Sequence, residues 1–286
     1  MRKNNVLSGM LALFCILASA PAFAQDVEVS SLTPKQGQTI EVTVTDDTPS
    51  KGRAEAPSVI FNGESYPMFP ARSQSEERAV YKGLVSIPAD LDPGAYSLKV
   101  GDQALQLRVV DAKFPLQYLR LPRGKDNFKM SPGEEEAVEA AKATLSCQRH
   151  WRTNFVRPSK ARVSSGFGLR RVVNGKLLKD YFHSGLDFAG GLGSPVAACA
   201  PGKVIIARTG WRLHGNTVAI DHGQGVVSFY IHLSKVLVKE GEIVKRGQLI
   251  GKIGQTGRAS GPHLHFSIYV NKVAANPNYW FASAFM

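Results

Sequence analysis

The sequence predicts a mainly β protein made of an N-terminal immunoglobulin-like β-sandwich, a short linker helix and a C-terminal all-β domain. Three observations carry this. Short runs of alternating apolar and polar residues recur between turn signals over residues 25–112; one run of helix formers with a start signal comes next; and from about residue 164 to the end the alternating pattern returns, punctuated by Gly and Pro. With 286 residues and 43% hydrophobic content, the chain has material for about two globular domains and does not have the composition of a disordered or collagen-like protein.

The first 24 residues stand apart from the fold. Arg2 and Lys3 precede an apolar run over 6–20, and Ala22-Phe23-Ala24 supplies small residues at the flanks of a cleavage site. This is the pattern of a signal peptide over 1–24, cut before Gln25. The apolar run is shorter than the roughly 20 residues that span a bilayer, so no stable membrane insertion is expected after cleavage. Cys15 lies inside the run, which continues past it, and therefore does not mark a lipoprotein site.

Over 25–112, Ile40, Val42 and Val44 alternate with Glu41 and Thr43; Tyr96, Leu98 and Val100 do the same, as do Leu105, Leu107 and Val109. Asn62-Gly63, Asp92-Pro93-Gly94 and Gly101-Asp102 mark the turns between them. Several short strands at this spacing predict a small antiparallel sandwich with no catalytic grouping. Residues 113–160 read as a linker, rich at first in Pro and basic residues. Within it Ser131 as N-cap, Pro132 at the first helical position and Glu134 three residues after the cap form a capping box, which predicts a helix over about 132–147. Residues 161–286 form the last domain. There Asn174-Gly175 between Val172-Val173 and Leu177-Leu178 is a strong hairpin signal, and 226–233 and 264–270 are apolar strands.

Charge divides the two halves. The net +12 includes two cations of the signal peptide; residues 25–112 carry 8 Lys+Arg against 13 Asp+Glu, and residues 113–286 carry 25 against 10. Beyond the signal peptide only Arg170-Arg171 and Lys245-Arg246 are adjacent cations, so the basic charge is dispersed. With an export signal this argues against a nucleic-acid partner and favours an acidic polymer of the cell envelope.

The chemistry-bearing residues lie in the basic half. His183 and Asp187 are four apart in a segment whose Gly185 argues against a helix; in an extended strand that even spacing places both on one side. In Gly261-Pro262-His263-Leu264-His265-Phe266-Ser267-Ile268 the apolar residues alternate, so His263, His265 and Ser267 project together from the face opposite Leu264, Phe266 and Ile268. In Phe229-Tyr230-Ile231-His232-Leu233, Tyr230 and His232 are expected on one face and Phe229, Ile231 and Leu233 on the other. Imidazoles and a carboxylate gathered on one sheet face suit zinc, which takes three protein ligands and leaves a fourth position for water. Five groups compete for three positions, and spacing does not decide which histidine holds metal and which moves protons.

These segments, in order with Ser165-Gly166-Phe167-Gly168-Leu169-Arg170, Gly193-Ser194-Pro195-Val196-Ala197-Ala198, Gly241-Glu242-Ile243-Val244-Lys245-Arg246-Gly247-Gln248 and Gly254-Gln255-Thr256-Gly257, resemble the lysostaphin-type (LytM) zinc metallopeptidases over about 164–277. The resemblance implies an antiparallel β-sheet with a narrow groove over the metal, an activity against peptide cross-links of bacterial peptidoglycan, and zinc held by His183, Asp187 and His265. It implies His232 and His263 as the non-ligand catalytic histidines. The two-domain layout suits a periplasmic D,D-endopeptidase acting on D-Ala to diaminopimelate bonds; a secreted or wall-associated location, a glycyl-glycine endopeptidase, and a non-catalytic wall-binding module or amidase activator are the alternatives. An acidic accessory domain can position such an enzyme or cover its groove.

The remaining candidates are plainer. His150, His214 and His222 are expected outside the chemistry, and Arg170 and Tyr230 are candidates for substrate contact or for surface and sheet-supporting roles. Cys147 and Cys199 permit a disulfide tying the linker to the last domain, or leave Cys199 as a buried thiol beside Ala198 and Ala200.

Overall fold

The structure is a computed structural model that describes residues 25–46, 56–72, 78–120 and 129–282; the expected signal peptide and linker residues 121–128 lie outside the described residues. Seven antiparallel strands make up the first domain: β1 (Gln25–Val29), β2 (Thr39–Asp46), β3 (Ser58–Phe61), β4 (Glu64–Ala71), β5 (Ala79–Ser86), β6 (Gly94–Val100) and β7 (Gln103–Val109). Where a sandwich of two separate sheets is expected, the strands form one path, β1-β2-β5-β4-β3-β6-β7. β4 is the reason: its first half, Glu64 to Pro67, pairs with β3, and its second half, Met68 to Ala71, pairs with β5. The two wings close on a single core in which Ile40, Val42 and Val44 meet Val59, Leu98 and Leu107. Period-two alternation supplies this inner face, and Asn62 and Gly63, at φ 50° and 80°, turn the β3–β4 hairpin.

The linker contributes two elements. β8 (Leu116–Leu119) adds itself in parallel to β10 (Arg170–Val173), the partner of β11 (Lys176–Phe182). The helix α1 (Glu134–Lys142) is shorter at both ends than the expected 132–147. Gly133 has φ 75°, a left-handed residue that cannot belong to a right-handed helix, so the first turn starts after it. Only half of the capping box forms: Ser131 N–H donates to Glu134 Oε2 at 2.7 Å, while Ser131 Oγ accepts instead from Arg212 N–H at 2.9 Å. At the far end Ser146 Oγ donates to Asp221 Oδ2 at 2.8 Å, drawing the chain away from the helix axis. Val138 and Ala141, three apart on one face, pack against Ile206, Ala219, Val227, Phe229 and Ile231.

The last domain is organised around an eight-stranded sheet. Its main path is β18 (Ile243–Val244), β14 (Gly202–Arg208), β15 (Asn216–Gly223), β16 (Val226–Leu233), β20 (Leu264–Val270), β12 (Leu186–Ala189) and β9 (Arg162–Ser165), and β21 (Val273–Ala275) pairs with β20. A small sheet of β13 (Pro195–Ala197), β19 (Leu249–Lys252) and β17 (Lys235–Val236) and the helix α2 (Pro277–Ala282) cover its back. That back face holds the main core, with Phe188, Tyr230, Phe266 and Trp280. The two domains are joined by specific contacts: Trp280 Nε1 donates to Thr39 Oγ1 at 3.3 Å, Asn276 N–H to Gly37 O at 2.8 Å, and Asn271 Nδ2 to Leu84 O at 3.0 Å. Among the described residues no helix is long and apolar enough to cross a membrane.

Candidate metal centre and groove

The front of the large sheet is hollowed into a groove of about 350 Å³ between α1, β8 and the β10–β11 hairpin. At its floor, β12 and β20 pair so that Asp187 lies directly opposite His265, which brings directly opposed side chains together on one face. His183 comes just after the end of β11 and is tied to the preceding turn: His183 N–H donates to Leu169 O at 3.0 Å, and Gly168 N–H donates to His183 O at 2.8 Å. His183 and Asp187 therefore come from successive strands rather than from one, with Gly185 at the crossing. A Cβ there would lie 2.1 Å from Phe266 O, so only glycine lets the chain pass.

Three ligand atoms meet at this floor. His183 Nε2 is 3.0 Å from Asp187 Oδ1 and 2.9 Å from His265 Nδ1, and His265 Nδ1 is 2.9 Å from Asp187 Oδ1. His183 Nδ1 donates to Gly166 O at 2.6 Å, so in the neutral ring Nε2 carries a lone pair. Burial pushes His265 down to about 4, which keeps it neutral at neutral pH. Burial alone would raise Asp187, yet His183 and His265 beside it hold its carboxyl well below the usual range. With His183 Nε2, His265 Nδ1 and Asp187 Oδ1 all within 3.0 Å of one another, two imidazole nitrogens and a carboxylate oxygen converge on one point, and this donor set fits a divalent metal. Arg171 orients the carboxylate from outside: its NH2 donates to Asp187 Oδ2 at 3.3 Å, leaving Oδ1 toward the histidines.

Two more histidines stand above the floor. The rings of His232 and His263 lie 4.8 Å apart, and His263 Nε2 is 3.9 Å from Asp187 Oδ1. Nδ1 of His232 donates to Thr256 O and Nδ1 of His263 to Gly261 O, each at 2.9 Å, which assigns the lone pair to Nε2 in the neutral rings. Burial, with His263 and His265 nearby, holds His232 well below its ordinary value.

The route by which His232 reaches the groove differs from the alternation read in the sequence. Ile231 lies opposite His265 in the β16–β20 register, and Phe229 and Ile231 line the groove under α1. Tyr230 faces the back: it is fully buried, accepts from Cys199 N–H at 2.8 Å and from Ser228 Oγ at 3.1 Å, and does not line the groove. His232 joins Ile231's face because its backbone is left-handed, at φ 63°, which breaks the two-residue alternation. On β20 no such break occurs, and His265 and Ser267 line the groove while Leu264, Phe266 and Ile268 enter the core.

Other candidates fall elsewhere. Arg170 is exposed and outside the groove; its neighbour Arg171 lines the wall, donating also to Tyr181 Oη at 2.8 Å and Gln117 Oε1 at 3.1 Å. The buried Val173, two residues on, shares Arg171's face and is the signal for choosing the second arginine. His214 lines the groove with Nδ1 2.8 Å from Glu134 Oε1, while His222 is fully buried behind the sheet. Cys147 is an exposed free thiol and Cys199 a buried one, 3.7 Å from His222 Nε2 with burial pushing it up to about 12. Arg258 and Lys142 line the groove and Glu134 braces it through His214, and no sequence motif marks any of them for that part. Among the described residues none from 25–112 lines the groove; its accessory wall is the linker.

A β-sheet groove floored by a His–Asp–His donor set, with two further histidines held above it, defines a site of the metallopeptidase class. Residues 181–277 match Peptidase family M23, and the chain belongs to that family, whose metallopeptidase character implies a bound metal. Its structure is similar to that of a putative peptidase M23 from Pseudomonas aeruginosa, with a TM-score of 0.60 and 30% identity over 88% of this chain and 96% of that one. It is 38% identical over 152 residues to the peptidoglycan DD-endopeptidase ShyB of Vibrio cholerae, covering 50% of this chain and 35% of that protein. It is 45% identical over 114 residues to ShyA of the same organism, covering 39% of this chain and 26% of that protein. The chain thus spans about a third or less of the length of these curated relatives.

Proposed function

We propose that the protein is a zinc-dependent endopeptidase that hydrolyses peptide cross-links of bacterial peptidoglycan, with D-Ala to diaminopimelate bonds as substrate and the periplasm, reached by the signal peptide, as its location. The observation that carries this reading is the convergence of His183, Asp187 and His265 beneath His232 and His263 in one groove. Its N and O donors suit zinc, and the relatives named as peptidoglycan DD-endopeptidases support the substrate.

Bound zinc would polarise the scissile carbonyl and bring the pKa of a coordinated water toward about 7. The chain's own groups do the rest. His183, Asp187 and His265 would hold the ion, with Arg171 and the Gly166 carbonyl fixing two of them. His232, kept neutral by burial and with its Nδ1 proton committed to Thr256 O, presents Nε2 to accept a proton from the attacking water. His263, anchored on Gly261 O, stabilises the developing oxyanion only with a proton on Nε2, and the proton that His232 Nε2 takes from the water goes to the leaving amine as the C–N bond breaks. Lys142, Arg171 and Arg258 give the walls a positive lining suited to a peptide with free carboxylates.

The test is to incubate residues 25–286 with muropeptide dimers joined by D-Ala to diaminopimelate bonds and with dimers joined by glycine bridges. The first should convert to monomers, stop on chelation and resume with zinc. Unchanged cross-links in the zinc-loaded protein would overturn the reading.

A further inference from the structure

Glu134 lies in the linker helix, outside residues 181–277 that match the family, and it is the only acidic residue of α1 that is fully buried. Its carboxylate is satisfied by a ring of N–H groups. Oε2 accepts from Ser131 N–H at 2.7 Å and Arg212 N–H at 3.1 Å; Oε1 accepts from Leu213 N–H at 3.1 Å and His214 N–H at 2.8 Å, and His214 Nδ1 is 2.8 Å away. Burial would raise this carboxyl, but these donors bring it down to about 2, so it is ionised and His214 Nδ1 must be the donor. Three successive backbone N–H groups of one loop are thus gathered on a single charge.

The carbonyls of that same loop point the other way. His214 O accepts from His232 N–H at 2.9 Å, and Leu213 O accepts from Arg258 N–H at 2.9 Å. His232 is the residue whose left-handed backbone, at φ 63°, turns its imidazole into the groove. A non-glycine residue in that conformation is strained and persists only where its surroundings hold it. Its two visible anchors are the bond to His214 O and that of Nδ1 to Thr256 O, and Thr256 is itself tied into the loop through Oγ1, which accepts from Asn216 N–H at 2.9 Å.

We propose that Glu134 is a positioning residue for His232, the linker carboxylate fixing the 212–214 loop so that this loop holds His232 in its left-handed, groove-facing conformation. This rests on the reading of His232 as a proton acceptor in hydrolysis. Removing the charge leaves several buried N–H groups competing for one neutral carbonyl oxygen, so the loop relaxes and the imidazole loses its aim without any metal ligand being touched.

The test uses the zinc-loaded mature chain with Glu134→Gln and, as a milder variant, Glu134→Asp, which keeps the charge but draws it back from the loop by one methylene. Cleavage of cross-linked dimers is read together with zinc content, thermal unfolding and the imidazole resonances of isotopically labelled histidine. Glu134→Gln should retain one zinc per chain and a KM within twofold, lose about tenfold in kcat, and shift the His232 resonances while those of His183 and His265 stay put. A folded, zinc-loaded Glu134→Gln protein with unchanged kcat and unmoved His232 resonances would overturn the proposal, even if it melts earlier. Should that variant fail to fold, Glu134→Asp decides in the same way: a lower kcat with displaced His232 resonances supports the role, and no change in either refutes it. If the wild-type chain, zinc-loaded, cuts no cross-link, the proposed function fails, and the His232 resonances still decide the positioning.

Discussion

His232 and Arg171 show how much of the site depends on single backbone and side-chain details. The histidines of β20 were readable in the sequence because nothing interrupts the alternation from His263 to Val270, so polar and apolar residues separate by parity alone. The same rule misplaces Phe229, Tyr230 and Ile231, since the left-handed backbone at 232 puts that imidazole out of step with the strand before it. Alternation carries no sign of φ, and that detail is set by the loop bonded to it. In the sequence, only parity with Val173 separates Arg171 from its exposed neighbour Arg170. The Arg171 guanidinium, only 11% exposed in its side chain, bridges Asp187, Tyr181 and Gln117. Arg171→Met should therefore weaken zinc binding about tenfold to a hundredfold, the range for loss of a group that orients a metal ligand. Competition with a chromogenic chelator measures this; unaltered affinity would mean that Asp187 needs no outside support.

At the scale of elements, strands and hairpin turns were written locally, in two-residue alternation and in Asn-Gly pairs such as Asn174-Gly175, at φ 50° and 83°. The linker was not. β8 becomes a strand by pairing with β10 more than fifty residues away, and α1 ends where Gly133 and the pull of Asp221 on Ser146 dictate. Long-range bonds of this kind leave no local pattern. Behind the sheet, His222 joins Pro201 O at 2.7 Å to Ser228 Oγ at 2.8 Å, tying β15 to the Ser228–Tyr230–Cys199 cluster. Burial pushes His222 down to about 4. The unfolded chain binds that proton from near pH 6.5, so this contribution is fully present above pH 6.5 and is lost as pH falls toward 4, by up to about 3 kcal/mol. Urea unfolding of the metal-free protein at pH 7.5 and 4.5 should show a smaller loss in His222→Gln than in wild type. Equal losses would remove His222 as the source.

Across the whole molecule, charge and position distinguish the two domains. The acidic 25–112 region is fastened through Gly37, Thr39 and Leu84 to the back and rim of the last domain, while the linker shapes the groove. Composition raised the expectation of an anionic polymer as partner for the basic half, and the four histidines and one aspartate pointed to the chemistry; the joining of linker to groove needed three dimensions. In the proposed function, metal bound at His183, Asp187 and His265 drives hydrolysis of peptide cross-links. Its most direct test is a zinc titration of metal-free protein, monitoring conversion of cross-linked muropeptide dimers to monomers in wild type and His265→Ala. Activity should rise to a plateau at one zinc per chain in wild type and stay at background in the variant; full activity without metal, or in His265→Ala, would contradict it.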